Sequence, residues 1–271
     1  MLWPVATPFR MRPNLEKLDP VAPALLLRDE LVHVYRRERE RVIAAHADRS
    51  MVGTANNAVL DAILALAPAM LKRGQNIALA IQEDFVILKQ HDEALRTEYL
   101  SVCFPSRWDP REKLGLDFAA IHAPVADNQT LIAAAQSIMR MAFMKQPMLR
   151  HVWLIVPSAS LDQHPDKNDT WWTETLRDMS PLLPNLFFRV ERQTTWPLPH
   201  LQRAVFFIRV MMSPLVDVLS VRPEPVEGSG RVSARATELA ASLRSMTPEV
   251  VAYRGMRDAM PRLLAELEHF E

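Results

Sequence analysis

Cysteine is the scarcest reactive residue in this chain: Cys103 is alone among 271 residues. One thiol closes no intrachain disulfide and cannot supply the four thiolates of an iron-sulfur cluster, and it fits a reducing compartment, so the cytoplasm is the expected location. Glycine is almost as rare, with 6 against 21 prolines, and neither GxGxxG nor GxxxxGK[ST] occurs, which argues against a Gly-rich phosphate loop. Net charge is absent too. The 32 basic and 32 acidic side chains cancel, leaving no overall field to gather nucleic acid or an anionic membrane surface. No apolar run approaches the ~20 residues that cross a bilayer, and Met1 to Arg12 lacks the basic start and apolar stretch of a signal peptide. Nor is there an HExxH, a paired CxxC or a GxSxG on which a zinc, non-heme iron or serine-hydrolase site would rest.

What is present is ordinary globular material, 49% hydrophobic and 24% charged, enough for one large domain. Residues 1–24 are punctuated by proline and read as extended chain. Helices are expected over 24–47, where Glu38 and Arg41 are spaced to pair on a solvated face, and over 57–72, ending at Arg73-Gly74. Short runs rich in β formers at 78–82, 85–89, 99–104, 118–123, 151–156, 186–193 and 204–211 predict an antiparallel sheet, with Trp196-Pro-Leu-Pro199 as a stiff connection between the last two. A further helix is expected over 131–144 with Ile132, Ala135, Met139 and Phe143 on one side, and Trp171-Trp172 opens another. Beyond Pro214 the periodicity breaks at Arg222-Pro-Glu-Pro-Val-Glu-Gly-Ser-Gly230, which resembles a translated genomic repeat and is given no function. Helices then follow over 232–244 and 248–270.

One stretch is unusually specific. Cys103-Phe-Pro-Ser-Arg-Trp-Asp-Pro-Arg-Glu-Lys-Leu-Gly115 presents Ser106, Trp108 and Lys113 on a proline-bounded loop, and Ile121-His-Ala-Pro-Val125 delivers His122 at an expected strand end. An axial heme ligand must hold one ring nitrogen rigidly along the iron normal, with apolar neighbours excluding water and basic groups matching the propionates.

These residues, with Arg189-Val-Glu-Arg-Gln-Thr194, resemble the heme-dependent oxidative N-demethylases, in particular their α subunit. Weaker agreement comes from Phe9-Arg-Met, Leu18-Asp, Glu83-Asp-Phe85 and Phe206-Phe-Ile-Arg209 leading to Pro214-Leu215, so the resemblance runs in order over roughly residues 8–215. It implies an α+β fold: a PAS-like antiparallel sheet flanked by helices, holding heme b, here over residues 25–220; composition and periodicity add a linker or inserted loop at 221–231 and C-terminal helices at 232–271 packed on the main domain. It also implies oxygen-dependent removal of a methyl group from a small secondary amine with release of formaldehyde, electrons from a separate flavin and iron-sulfur reductase subunit, and a folate to capture the formaldehyde. The chain departs from the family at Arg150-His-Val-Trp153, where Val152 replaces an asparagine, and at Thr195–His200.

Carried over by position, His122 is the candidate metal and heme ligand, the alternative being a core histidine satisfied by backbone. Cys103 offers a thiolate, or is a small strand residue. Glu191 is the candidate catalytic acid/base for a substrate ammonium, or pairs within the strand with Arg189 or Arg192. Arg150, Arg192, Arg209 and Lys113 are candidate propionate partners, and Trp108 packs on the macrocycle. Methionines 139, 141, 144 and 148 offer thioethers or fill core. His33, His46, His91 and His269 read as surface, while His164 and His200 are placed to line a site. Three readings follow: an oxidoreductase, with O2 and an amine as substrates; a heme-binding PAS-like gas sensor; or a heme-free interaction scaffold. A homo-oligomer through the C-terminal helices is compatible with each.

Overall fold

The computed structural model describes residues 2–19, 21–67, 76–92, 94–167, 171–221 and 234–270. In chain order the strands are β1 (Glu16–Lys17), β2 (Met51–Gly53), β3 (Asp84–His91), β4 (Ala94–Ser101), β5 (Met148–Val156), β6 (Phe187–Leu198) and β7 (Arg203–Pro214). The principal helices are α1 (Val32–Ser50), α2 (Asn57–Leu66), α3 (Phe118–His122), α4 (Gln129–Ala133), α5 (Ala135–Ile138), α6 (Trp171–Asp178), α7 (Leu215–Leu219), α8 (Ala234–Arg244), α9 (Pro248–Tyr253) and α10 (Met260–Glu268). The strands form one seven-stranded antiparallel sheet in the order β1-β5-β6-β7-β3-β4-β2, an α+β fold.

Strand alternation sorts the sheet into two faces. Phe85 and Ile87 on β3 lie across from Phe207 and Val205 on β7, and with Val59 and Ile63 of α2 they close one core cluster. Farther along the same face, Trp153, Phe188 and Val190 pack under α7, α8 and α10, whose Leu239, Leu243, Leu263 and Leu267 are fully buried. The other face carries Arg189, Glu191, Gln193 and Thr195 on β6, Arg150 and Val152 on β5, and Phe206 and Ile208 on β7, and it is only partly covered.

Several sequence expectations change. Residues 78–82 form no strand: Asn76 accepts from the Ala78 amide at 3.0 Å and starts a 3-10 turn over Ile77–Leu79. Residues 118–123 are also helical, because Asp117 accepts from the Ala120 amide at 2.9 Å, two alanines favour the helix, and Pro124 cannot continue it. The helix over 131–144 is broken at Ala134 and continues as a π-helical segment, Met139–Lys145. The buried residues along it are Leu131, Ile138, Ala142 and Phe143, so of the expected stripe Phe143 is buried and Ile132, Ala135 and Met139 are not fully so. Trp196 to Leu198 remain in β6, and the reversal occurs at Pro199–Gln202, where Gln202 is left-handed with φ 52°. The expected helix end at Arg73-Gly74 and the segment 222–230 lie outside the described residues.

A buried ionic network fixes the frame around the uncovered face. Arg39 of α1 is fully buried and donates to Asp84 at 2.7 Å and to the Gln82 carbonyl at 3.0 Å. Asp84 also accepts from the amides of Cys103 and Phe104 at 2.8 and 2.9 Å, so one carboxylate ties helix, strand and the start of the 104–113 loop together. Charge along α1 is therefore only partly solvated: Glu38 and Arg41 do pair on the outside at 2.8 Å, while Arg39 faces the core.

Candidate functional site

The uncovered sheet face, the 106–113 loop, α3, the π-helical segment and the N-terminal stretch enclose a cavity of about 940 Å³. That volume lies at the upper end of the range for small-molecule and cofactor sites. His122, Trp108, Lys113, Arg150 and Glu191 all line it.

Glu191 reaches the cavity because β6 alternation puts it on the same face as Arg189 and Gln193. Its two oxygens are held separately: Gln193 Nε2 donates to Oε2 at 2.7 Å and the Ser106 hydroxyl donates to Oε1. Ser106 in turn accepts from Arg189 Nε at 2.8 Å. Arg189 itself is fully buried and spends its remaining donors on the carbonyls of Leu161 and Phe104, at 3.0 and 2.8 Å. Thus Glu191 forms no direct pair with Arg189 or Arg192. Ser106, Gln193 and Arg189 orient it and leave it capacity to accept from a ligand.

His122 ends α3, not a strand. Its Nδ1 lies 2.8 Å from the Phe118 carbonyl, and the ring stacks on Phe118 with centroids 4.0 Å apart. A carbonyl only accepts, so Nδ1 carries the proton and Nε2 keeps its lone pair, the tautomer a metal requires. Burial lowers the His122 pKa; the Phe118 hydrogen bond opposes that shift, and the nearby Arg150 and Lys113 cations reinforce it. Neutral imidazole is therefore favoured.

Arg150 is a largely buried cation whose Nε has no hydrogen-bond partner among the described residues. Burial lowers its pKa and Glu191 pulls it back up, but the two groups do not form an ion pair. An unpartnered guanidinium at a cavity wall matches a carboxylate-bearing ligand.

Arg192 and Arg209 are placed elsewhere, which corrects their assignment as propionate partners. They pair in register on the opposite sheet face. Arg192 donates to the carbonyls of Ala24 and Leu25, clamping the N-terminal segment. Arg209 is fully buried, pairs with Asp29 at 2.7 Å and stacks over Tyr35 at 3.7 Å. Cys103 is also outside the cavity lining, and burial pushes its thiol up to about 12, so a thiolate there is disfavoured. Of the four candidate methionines, Met139 lines the cavity. His164 is buried at 2% exposure, 3.5 Å from Asp109, behind the loop that carries Trp108.

Two lining groups came from outside the sequence motifs. Tyr253 and Arg254 end α9 and reach the cavity from the far C-terminal region, where Arg107 Nη1 donates to the Arg254 carbonyl at 3.1 Å. Only three-dimensional packing brings positions 147 apart in the chain into contact.

A family model described as haem-dependent oxidative N-demethylase, alpha subunit-like, matches residues 46–264. The chain belongs to this family. The match spans the Phe104–Gly115 loop, His122, β5 to β7 and the α9 residues, so it takes in the cavity lining except for the N-terminal stretch. No curated protein matches the sequence.

The residues fit a heme. One neutral imidazole with a free Nε2, two cations, Arg150 and Lys113, that form no ion pair among the described residues, and an aromatic ring in Trp108 share one cavity. Among the described residues no three His, Cys, Asp or Glu side chains converge as a metal-binding group, and a heme iron needs only one protein ligand. No helix among the described residues is long and apolar enough to cross a membrane.

Proposed function

We propose that the chain is a cytoplasmic oxidoreductase that holds heme b in a PAS-like domain and demethylates a small secondary amine with O2. The observation that carries this reading is the pairing within one cavity of His122, tautomerically fixed for ligation through Nε2, with Glu191, held by Ser106 and Gln193. The family match supports heme dependence and the demethylase class.

In this reading His122 would hold the heme iron, Arg150 and Lys113 would meet the propionates, and Trp108 would pack against the heme. The heme supplies O2 activation when bound. The balance is one methyl group oxidised to formaldehyde, the nitrogen leaving as the demethylated amine, with one oxygen atom of O2 in formaldehyde and the other in water, using two electrons from a separate flavin and iron-sulfur reductase and two protons from solvent. A folate is the natural acceptor for the formaldehyde. The protein's own contribution is positioning and proton management. Glu191 pairs with the incoming ammonium and takes its proton, so that the amine enters as the free base whose N-methyl group is more easily oxidised. Ser106 and Gln193 fix the carboxylate so that its free lone pairs face the cavity. The apolar wall of Val86, Leu88, Leu100, Phe206 and Ile208 excludes water around it.

The test is formaldehyde release from heme-loaded protein supplied with an artificial electron donor, O2 and a panel of small methylated amines. Turnover is expected, and Glu191→Gln should lower it by about 10²- to 10⁴-fold, the usual span of a lost general base. Gas binding without turnover on any amine would move the protein to the sensor reading.

A further inference from the structure

Arg254, like Arg150, is a buried cation with a donor that no described residue answers. It is 8% exposed, and its Nη1 is sealed from solvent with no hydrogen-bond partner among the described residues. Its guanidinium is held between two rings, 4.5 Å from the Phe9 centroid and 4.8 Å from that of Trp153. The rings offset part of the lost hydration through their quadrupoles, but a ring face does not replace an oxygen acceptor for Nη1.

The side chain is also fixed in place. Its own carbonyl accepts from Arg107 Nη1 at 3.1 Å, and Arg107 closes over Gly255, where an added Cβ would lie 2.4 Å from the same nitrogen. Burial lowers the Arg254 pKa to about 10, opposed by Tyr253, and Arg254 forms no ion pair with a carboxylate among the described residues. Other buried arginines do have oxygen partners: Arg39 and Arg209 hold aspartates, although the Nε of each is unpartnered, and Arg189 and Arg192 hold carbonyls. Arg254 lines the cavity.

We propose that Arg254 is a carboxylate-binding residue of the cavity, its Nη1 donating to an acid group carried by the ligand. A planar fork with a free donor, prepositioned between two rings, matches a carboxylate. Two ligands bring one: a heme propionate, or an amine substrate that bears an acid group, such as an N-methyl amino acid. The second source rests on the demethylase reading; the carboxylate site itself does not.

An unanswered buried charge kept for a ligand should weaken the ligand-free fold. Arg254→Met, which keeps a linear side chain between Phe9 and Trp153, is therefore expected to unfold at an equal or higher temperature than the wild type when no ligand is present. Both proteins are then titrated calorimetrically with hemin and with hemin dimethyl ester, whose acid groups are blocked. N-methylglycine and dimethylamine are titrated next, each against the protein with whatever heme it has retained. At least a 10-fold loss for hemin but not for the diester assigns Arg254 to a propionate. The same loss for N-methylglycine, with hemin unchanged, assigns it to the substrate. If the wild type takes up neither hemin form, the heme reading fails by itself and the N-methylglycine arm decides the proposal. The proposal is overturned if the variant binds every probe as the wild type does, if no carboxylate probe binds the wild type, or if the ligand-free variant is clearly less stable, which would make Arg254 a structural cation.

Discussion

Replacing Asp84 by alanine should disable the frame that holds the cavity. Asp84 is 1% exposed and accepts three hydrogen bonds: one from Arg39 at 2.7 Å and two from the amides of Cys103 and Phe104. Its removal leaves Arg39, which has no solvent exposure, as a buried charge without its carboxylate, and two backbone donors without acceptors. Breaking a buried pair in this way costs about 3–5 kcal/mol, a large fraction of the ~5–15 kcal/mol that holds a typical domain. The orphaned amides act in the same direction, and because they share one network the contributions are not simply summed. Urea unfolding followed by tryptophan fluorescence measures the loss, with the midpoint shifting at constant slope. The double variant Asp84→Leu with Arg39→Met removes both charges at similar volume and should recover a substantial part of the stability. A single-variant loss below about 1 kcal/mol would refute the reasoning, as would a double variant no better than Asp84→Ala. Because Cys103 and Phe104 start the loop that brings Ser106 to Glu191, Asp84→Ala protein that still folds should also lose the Glu191 hydrogen bond.

Other consequences are open to measurement. Gly255 has φ +68°, and a Cβ there meets Arg107, so Gly255→Ala should cost at least about 1–2 kcal/mol in urea unfolding and release Arg107 from the Arg254 carbonyl; a neutral result would contradict the packing described. The folded-state pKa of His122 is depressed below its ordinary 6.5, so above that value the ring is neutral in both states and its contribution is fully present. As pH falls below about 6.5 the unfolded chain takes up a proton before the native state does, and stability declines through the folded pKa. The urea midpoint of the ligand-free protein should therefore fall from pH 7 to pH 5, with a shallower decline in His122→Gln. His151, also depressed by burial, supplies part of the remaining slope, and identical slopes for both proteins would exclude His122 as a contributor.

How much of this could be read from residues alone follows from which contacts are local. The strands β3 to β7 show as runs of β formers, and the alternation of Arg189, Glu191 and Gln193 already sets them on one side. What alternation does not disclose is which side faces the cavity. That depends on pairing: Arg192 stands opposite Arg209, and both are drawn to the face covered by the N-terminal segment and Asp29. Short apolar runs are blind to period, so Phe118–His122 reads as strand until the Asp117 cap is seen closing a helical turn. Arg39 looks like one more charge on a solvated helix because its partner, Asp84, lies 45 positions away. Tyr253 and Arg254 carry no motif, and only the packing of α9 against the Arg107 loop brings them to the site.

The central claim, that this cavity holds heme through His122, is tested most directly by the absorption spectrum of protein purified after expression with ample heme, compared with His122→Ala. The account predicts a Soret band in the wild type that is lost or shifted in the variant, with both proteins folded. A colourless wild type that also fails to take up added hemin would contradict it, and so would a variant whose Soret band is unchanged.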